Sequence, residues 1–411
     1  MQQKQTSNAR GWYVAVLSAL TSSLSAATAA QFSATLVPLA TKLGTSQEII
    51  ALTESAKSVI VVPAMLLSPA LTRKFGWRPV FIAGFLSFLI PQIGMPLTSS
   101  LFVLTALKAL QGFSALLFPL FLSLIMEWST PRSMGLATSI FTGCFYAGGV
   151  FGGTVAGYVI ESWTWEATFH VLSAAMIVMA TLFFLTVTSR QGPEKGNSSA
   201  ENRGAYRFVV RHRLTWFLIA AFLPTVWTIQ AIWADMVPFG AALGYADAQT
   251  GNVMGLSATA ILAASLLSGK ASDLAAASAR NRLKARTAVF SLSAVMVIAA
   301  VAALVLLNPA PPRLFRFNLA VFLLSFGAAW GLGSFYCIFP DFYTDDQVAA
   351  ANGFIGGIAD LAMPLSPIVM ALVGIRMNLW SLAWSSCAVV AVAGLFFAAG
   401  IYRFDAQKRM Q

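Results

Sequence analysis

Residues 37–44 read VPLATKLG, and residues 237–244 read VPFGAALG. Val37-Pro38 thus returns as Val237-Pro238 and Leu43-Gly44 as Leu243-Gly244, while Leu66-Leu67-Ser68 returns as Leu266-Leu267-Ser268. One constant offset held over three separated patches reads as two copies of a single unit, fused in one chain.

Outward from the repeat, composition identifies the solvent. The 411 residues are 58% hydrophobic and only 10% charged, with a mean hydropathy of +0.74. A soluble domain carries about 25% charged residues, so most of this surface must face lipid. The 31 Phe and 11 Trp suit acyl chains and headgroups. The net charge of +11 does not indicate nucleic acid, because the basic residues sit in short loops between apolar runs. Cys144, Cys337 and Cys387 lie inside apolar runs and read as reduced, buried thiols. The spacing of His and Cys offers no metal site, and no cofactor is expected. Lys4 and Arg10 precede an apolar stretch too long for a signal peptide, so it reads as a retained first membrane helix.

Twelve apolar runs can be marked. Six lie at 11–41, 48–71, 78–97, 101–127, 134–160 and 166–188, and six at 214–241, 248–273, 285–307, 314–340, 347–374 and 378–403. Each exceeds or approaches the ~20 residues that cross a bilayer core. Backbone groups in lipid must pair within their own segment, so the runs are helices. With both termini inside, twenty basic residues fall on the inner side and four on the outer, which favours N-in, C-in. The domains expected are an N-terminal six-helix bundle (1–190), a cytoplasmic linker (191–213) and a C-terminal six-helix bundle (214–411). Gln191–Gly204 is polar and Gly/Ser/Asn-rich and reads as flexible. The basic, part-aromatic stretch from Tyr206 to Arg213 reads as a topology anchor or a contact for anionic lipid.

Short motifs now fall in register with the repeat. The loop after the second run reads Pro69-Ala-Leu-Thr-Arg73-Lys74-Phe-Gly76-Trp-Arg78, and its second-half counterpart is Gly269-Lys-Ala-Ser-Asp273. The fourth run holds Lys108-Ala-Leu-Gln111-Gly112 and the fifth Gly148-Gly149-Val-Phe-Gly152-Gly153. In these motifs the chain resembles the major facilitator superfamily. That family's signature after helix two is Gly-x-x-x-Asp-Arg/Lys-x-Gly-x-Arg. Here Pro69 replaces the opening Gly and Arg73 the Asp. The family's Arg-x-x-Gln-Gly has Lys108 for Arg, and the exporter motif Gly-Pro-x-x-Gly-Gly lacks its Pro. The resemblance implies an all-α membrane fold of twelve transmembrane helices in two bundles, with helices one, four, seven and ten lining a central cavity. It also implies a secondary active transporter working by alternating access, not an enzyme.

Charges inside hydrocarbon need a partner, a cavity or a function. Asp360, midway along the eleventh run, is the expected proton-coupling group, sharing a face with Asn352 and Gly356. Lys108 is expected to meet the negative group of a solute or to compensate an acid, or else to snorkel outward. Thr28, Gln31, Gln111, Trp227, Gln230, Trp330 and Tyr336 complete the expected substrate-binding set, from polar or aromatic stripes on the cavity helices. Glu54 with Lys57 reads as a local ion pair or an outer gate in preference to a substrate contact, and Arg73, Lys74, Arg78 and Asp273 are expected to serve as gates. For Asp273 a surface pair with Lys270 is the plainer alternative, and Asp235 reads as interfacial. Gly149, Gly153 and Gly157, with Gly148 and Gly152, form small-residue stripes expected to slide against a helix of the other half, with a static packing seam as the alternative.

No Gly-x-x-x-x-Gly-Lys-Ser/Thr stretch is present, so the driving energy is expected from an ion gradient, with protons the economical choice. The expected cargo is a small organic solute, anionic or zwitterionic. The alternatives are a proton-driven multidrug efflux pump and, in another class, a non-transporting solute receptor. The partners expected are that solute, protons or another coupling ion, and membrane lipid. The protein is expected to be a monomer in a bacterial inner membrane and to bind no nucleic acid.

Overall fold

The computed structural model describes residues 2–189, 198–306, 311 and 313–404. No strand occurs among them. The helices are α1 (Gln2–Ala34), α2 (Leu36–Leu43), α3 (Gln47–Phe75), α4 (Trp77–Gly94), α5 (Leu101–Gly112), α6 (Leu117–Trp128), α7 (Met134–Ser162) and α8 (Trp165–Thr186). After them come α9 (Ser198–Arg211), α10 (Arg213–Ala242), α11 (Asp247–Ser278), α12 (Arg282–Leu306), α13 (Leu314–Phe335), α14 (Asp345–Ala359), α15 (Ala362–Met370) and α16 (Trp380–Ile401). Among the described residues, 11 stretches are long and apolar enough to cross a membrane. The 29-residue α7 occupies the place of the fifth expected run.

The sequence repeat has a structural cause. Gly44 and Gly244 both adopt positive φ, 62° and 92°, which a side chain rarely tolerates. Each ends its helix with the same pair of bonds. Gly44 N–H donates to Thr41 O and Thr45 N–H to Ala40 O, while Gly244 N–H donates to Ala241 O and Tyr245 N–H to Gly240 O. Environments match as well. Leu67 and Leu267 are exposed, and Ser68 and Ser268 are fully buried.

Contacts divide the chain into two compact units. The first comprises Met1–Ser129, Cys144–Val210 and Asp345–Gly357, and the second Thr130–Gly143, Arg211–Thr344 and Ile358–Gln411. In the first, Phe81 stacks on Phe183 at 5.0 Å, with Trp77 and Phe121 edge-on to that pair. In the second, Phe222 stacks on Phe335 at 3.9 Å, flanked by Phe290 and Tyr336.

The start of α7 belongs to the second unit because a buried charge network holds it there. Asp273 on α11 accepts the Gly135 N–H at 2.8 Å and the Leu136 N–H at 2.9 Å, so a carboxylate sits on the positive end of a helix. Arg286 donates to Asp273 Oδ1 (3.1 Å), to Ser272 Oγ (3.1 Å) and to Pro131 O (3.0 Å), and its Nε lies 2.9 Å from Asp341 Oδ2. Close approach requires glycine. A Cβ on Gly269 would meet Ser139 Oγ at 1.7 Å and Gly135 O at 2.5 Å. Asp273 is 4% and Arg286 1% exposed, whereas Lys270 is exposed. The plainer alternative of a surface pair with Lys270 is therefore incorrect, and Arg286 is not a solvated loop charge.

Two further expectations are revised. Gly148 and Gly152 pack on α1 of their own unit, where a Cβ would come within 2.5 Å of Ser23 O and 2.2 Å of Ala27 O, while Gly157 has open space around it. These two glycines form a close seam with α1. The expected flexible linker is helical from Ser198 onward, and residues 190–197 lie outside the described residues. Ala205 and Val209 of α9 are buried, and the Tyr206 hydroxyl donates to Leu66 O. Burial pushes the Tyr206 phenol upward, opposed by the nearby Arg73. Leu66 lies within α3, three residues ahead of Pro69, so this bond ties α9 to that helix.

Two measurements of thermal or denaturant unfolding check this packing. Gly152→Val is expected to cost about 1–3 kcal/mol by overpacking against Ala27, while Gly157→Ala changes stability by less than about 1 kcal/mol. Arg286→Gln strands two buried carboxylates and is expected to cost about 3–5 kcal/mol, while Lys270→Gln stays within about 0.5 kcal/mol.

Candidate functional site

The first unit concentrates polar side chains where α1, α3, α4, α5 and α8 meet. Gly112 brings α3 onto α5, because a Cβ there would lie 2.6 Å from Ile60 Cβ and 2.7 Å from Lys57 O. That approach carries Glu54 and Lys57 to Lys108. Lys108 Nζ lies 2.6 Å from Glu54 Oε2, and Lys57 Nζ lies 2.7 Å from Glu54 Oε1. Lys108 also donates to Gln111 Oε1 at 3.4 Å and sits 3.2 Å from the Phe32 ring centroid. Two ammoniums thus share one carboxylate, and the cluster keeps one net positive charge. The side chain of Lys108 is 1% exposed, that of Lys57 21% and that of Glu54 35%. Lys108 therefore does not snorkel; it is held inside, with its ammonium on the negative face of an aromatic ring.

Beside this cluster, Gln31 is fully buried and bridges three helices. It donates to Thr168 Oγ1 at 3.0 Å and accepts from Gln92 Nε2 at 2.5 Å. Thr28 donates to the Ser25 carbonyl of its own helix. Gln31 thus braces the helices around the charges, and both it and Thr28 are buried. Phe32, Gln92 and Thr168 are partners that sequence reasoning did not single out. Gln92 and Thr168 sit inside apolar runs, where a lone polar residue signals a buried partner.

In the second unit Asp360 stands at a break. Pro364 has no N–H to give to Asp360 O, so that carbonyl takes the Met363 N–H at 2.9 Å and the helix divides into α14 and α15. The side chain is buried, with Asp360 8% exposed and no hydrogen-bond or ion-pair partner among the described residues. Asp235 is not interfacial. It is 4% exposed, and its Oδ2 finds no hydrogen-bond partner among the described residues.

The remaining expected residues are dispersed. Trp227 donates from Nε1 to Ser386 Oγ at 3.2 Å and accepts from Ser366 Oγ at its carbonyl, 2.9 Å away. Gln230, one turn on, is half-buried on the same side of α10. Trp330 donates to Val289 O at 2.9 Å and so is tied to α12. Tyr336 is 1% exposed and packed among Phe222, Phe335 and Phe339, inside the aromatic core. Lys74 lies 4.9 Å over Phe75, and Arg78 lies 5.5 Å from both Trp77 and Phe184. Among the described residues neither they nor Arg73 form an ion pair, and Lys74 and Arg78 rest on aromatic faces. Among the described residues no group of His, Cys, Asp and Glu could hold a metal ion.

The comparisons with known proteins agree with this architecture. The chain is similar to the sugar efflux transporter A of Dickeya chrysanthemi, 30% identical over 121 residues, which is 29% of this chain and 30% of that one. It is similar to the multidrug efflux pump LfrA of Mycolicibacterium smegmatis, 25% identical over 194 residues, 46% of this chain and 36% of that one. The matched stretch thus spans about a third of these curated relatives. Its fold is similar to that of the human organic anion transporter MFSD10 (TETRAN), with a TM-score of 0.72 at 15% identity, covering 95% of this chain and 99% of that one. The sequence model of the Major Facilitator Superfamily matches residues 15–277, well over half of the chain. This multi-pass membrane protein therefore belongs to the Major Facilitator Superfamily, a family of transporters and not of enzymes.

Proposed function

We propose that the protein is a secondary active transporter that moves a small organic anion or zwitterion by alternating access, coupled to protons, in a bacterial inner membrane. One observation carries this reading: the first unit holds a cluster with one surplus positive charge around the buried Lys108, and the second holds a carboxylate, Asp360, without a partner among the described residues. The cluster of Lys57, Glu54 and Lys108 offers an anion a complementary site in a low dielectric. Asp360 lies at a helix break, where its surroundings change if α14 and α15 move relative to each other. A carboxylate that alternates between wet and dry surroundings takes up and releases a proton. Asp273, with Arg286 and Asp341, serves in this reading as a gate that holds one conformation until it is opened.

The test is uptake of labelled organic acids into proteoliposomes with an acid-outside gradient. Accumulation above equilibrium is expected, and Asp360→Asn is expected to abolish accumulation while leaving solute counterflow. Proton-driven accumulation that survives in Asp360→Asn rules out the coupling role.

Proton-driven multidrug efflux is the second reading, supported by the likeness to an efflux pump. The half-buried Trp227 and Trp330 would then present aromatic surface to amphipathic cations. Broad resistance conferred on a sensitive host, without uptake of organic acids, would favour it.

A further inference from the structure

The two lysines that share Glu54 are not equivalent. An ammonium has three hydrogens to donate. Those of Lys108 are committed to Glu54 Oε2 (2.6 Å), to Gln111 Oε1 (3.4 Å) and to the face of Phe32 (3.2 Å). Its side chain is 1% exposed, so nothing can reach it without dismantling these contacts. Lys57 has a single described contact, to Glu54 Oε1 at 2.7 Å, and its side chain is 21% exposed. Two of its hydrogens stay available on an accessible surface.

We propose that Lys57, not Lys108, is the ammonium that receives the solute, and that the solute is a monoanion, a small organic body bearing one carboxylate. This rests on the reading of the chain as a carrier of organic anions and names the group that binds and the charge that fits. Lys108 is a positioning residue: it binds one oxygen of Glu54 and so leaves Lys57 only partly neutralised. The charge count sets the selectivity. With Lys57 and Lys108 positive and Glu54 negative, one further negative charge brings the cluster to neutrality. A dianion overshoots neutrality and leaves an uncompensated negative charge beside the buried Lys108, which is costly.

The test is binding to the purified full-length protein in lipid nanodiscs, by calorimetry and by ligand-induced thermal stabilisation. The probes are benzoate as monoanion and phthalate as dianion, at neutral pH. The wild type is expected to bind benzoate more tightly than phthalate. Lys57→Gln is expected to weaken benzoate by about tenfold or more, the loss of one charge-assisted hydrogen bond. Lys108→Gln is expected to weaken it as well, because Glu54 then neutralises Lys57 alone. Glu54→Gln leaves two ammoniums and is expected to reverse the preference toward phthalate.

The paired double variants decide between the lysines. Glu54→Gln with Lys108→Gln keeps Lys57 as the one cation and is expected to recover benzoate affinity to within about threefold of wild type, or ~0.7 kcal/mol. Glu54→Gln with Lys57→Gln keeps only the shielded Lys108 and is expected to stay weak. The reverse pattern, or full benzoate affinity in Lys57→Gln, overturns the assignment while leaving the transporter reading intact. A wild type that binds neither probe overturns the monoanion site, and absence of organic-acid counterflow in proteoliposomes separately ends the reading it rests on. If Lys108→Gln fails to fold, Glu54→Gln with Lys57→Gln still decides: benzoate affinity near wild type in that variant overturns the assignment, and weak binding supports it.

Discussion

A charge inside hydrocarbon has to be compensated where it stands. Only a tenth of these residues are charged, and those inside the helices are placed under that constraint. Lys108 and Lys57 close on Glu54. Arg286 closes on Asp273 and Asp341, and Asp273 in turn closes on the free amides that begin α7. Each cluster joins helices that are distant in sequence, so neutralising charge and fixing the helix arrangement are one event. The glycines at 112, 135 and 269 belong to the same logic, since the charges meet only where backbones come close. Asp360 and the Oδ2 of Asp235 have no such compensation among the described residues. Uncompensated groups are the ones left able to respond to a change in their surroundings.

The fold was legible in the sequence because a bilayer imposes a coarse rule. Long apolar runs must be helices, and the words repeated at 37–44 and 237–244 hold helix ends of matching geometry. Asp360 was legible for a similar reason: a carboxylate followed closely by Pro364 marks a buried group at a break. The site was less legible. Lys108 and Glu54 are 54 positions apart, and no periodicity within one helix could pair them. Gln31 read as a cavity residue because a buried amide needs partners, but Gln92 and Thr168, on other helices, supply those partners. Arg286 falls at the inner end of the ninth apolar run, and its distinction from Arg282 or Lys284 is a matter of burial, which composition does not encode.

The motif departures make sense at the level of contacts. Position 269 is glycine because α7 passes against it, and position 273 is acidic because α7 begins there. The corresponding first-half positions are Pro69 and Arg73. Here the ring of Pro69 faces Gly353, where a Cβ would lie 2.8 Å from Pro69 Cγ and 2.6 Å from Met65 O. In the first half the glycine has moved to the partner helix. The two positions thus keep the close approach and exchange which side supplies the space.

Tyr206 carries a consequence for how the polypeptide can be divided. Its hydroxyl serves a carbonyl of α3, although it lies on the segment that leads into α10. A chain cut ahead of Ser198 would place that hydroxyl on the other fragment and remove the bond that ties α9 to Leu66 O. Co-expressed pieces would reassemble better if α9 travelled with the amino-terminal one, which makes this helix a closing strap of the first unit.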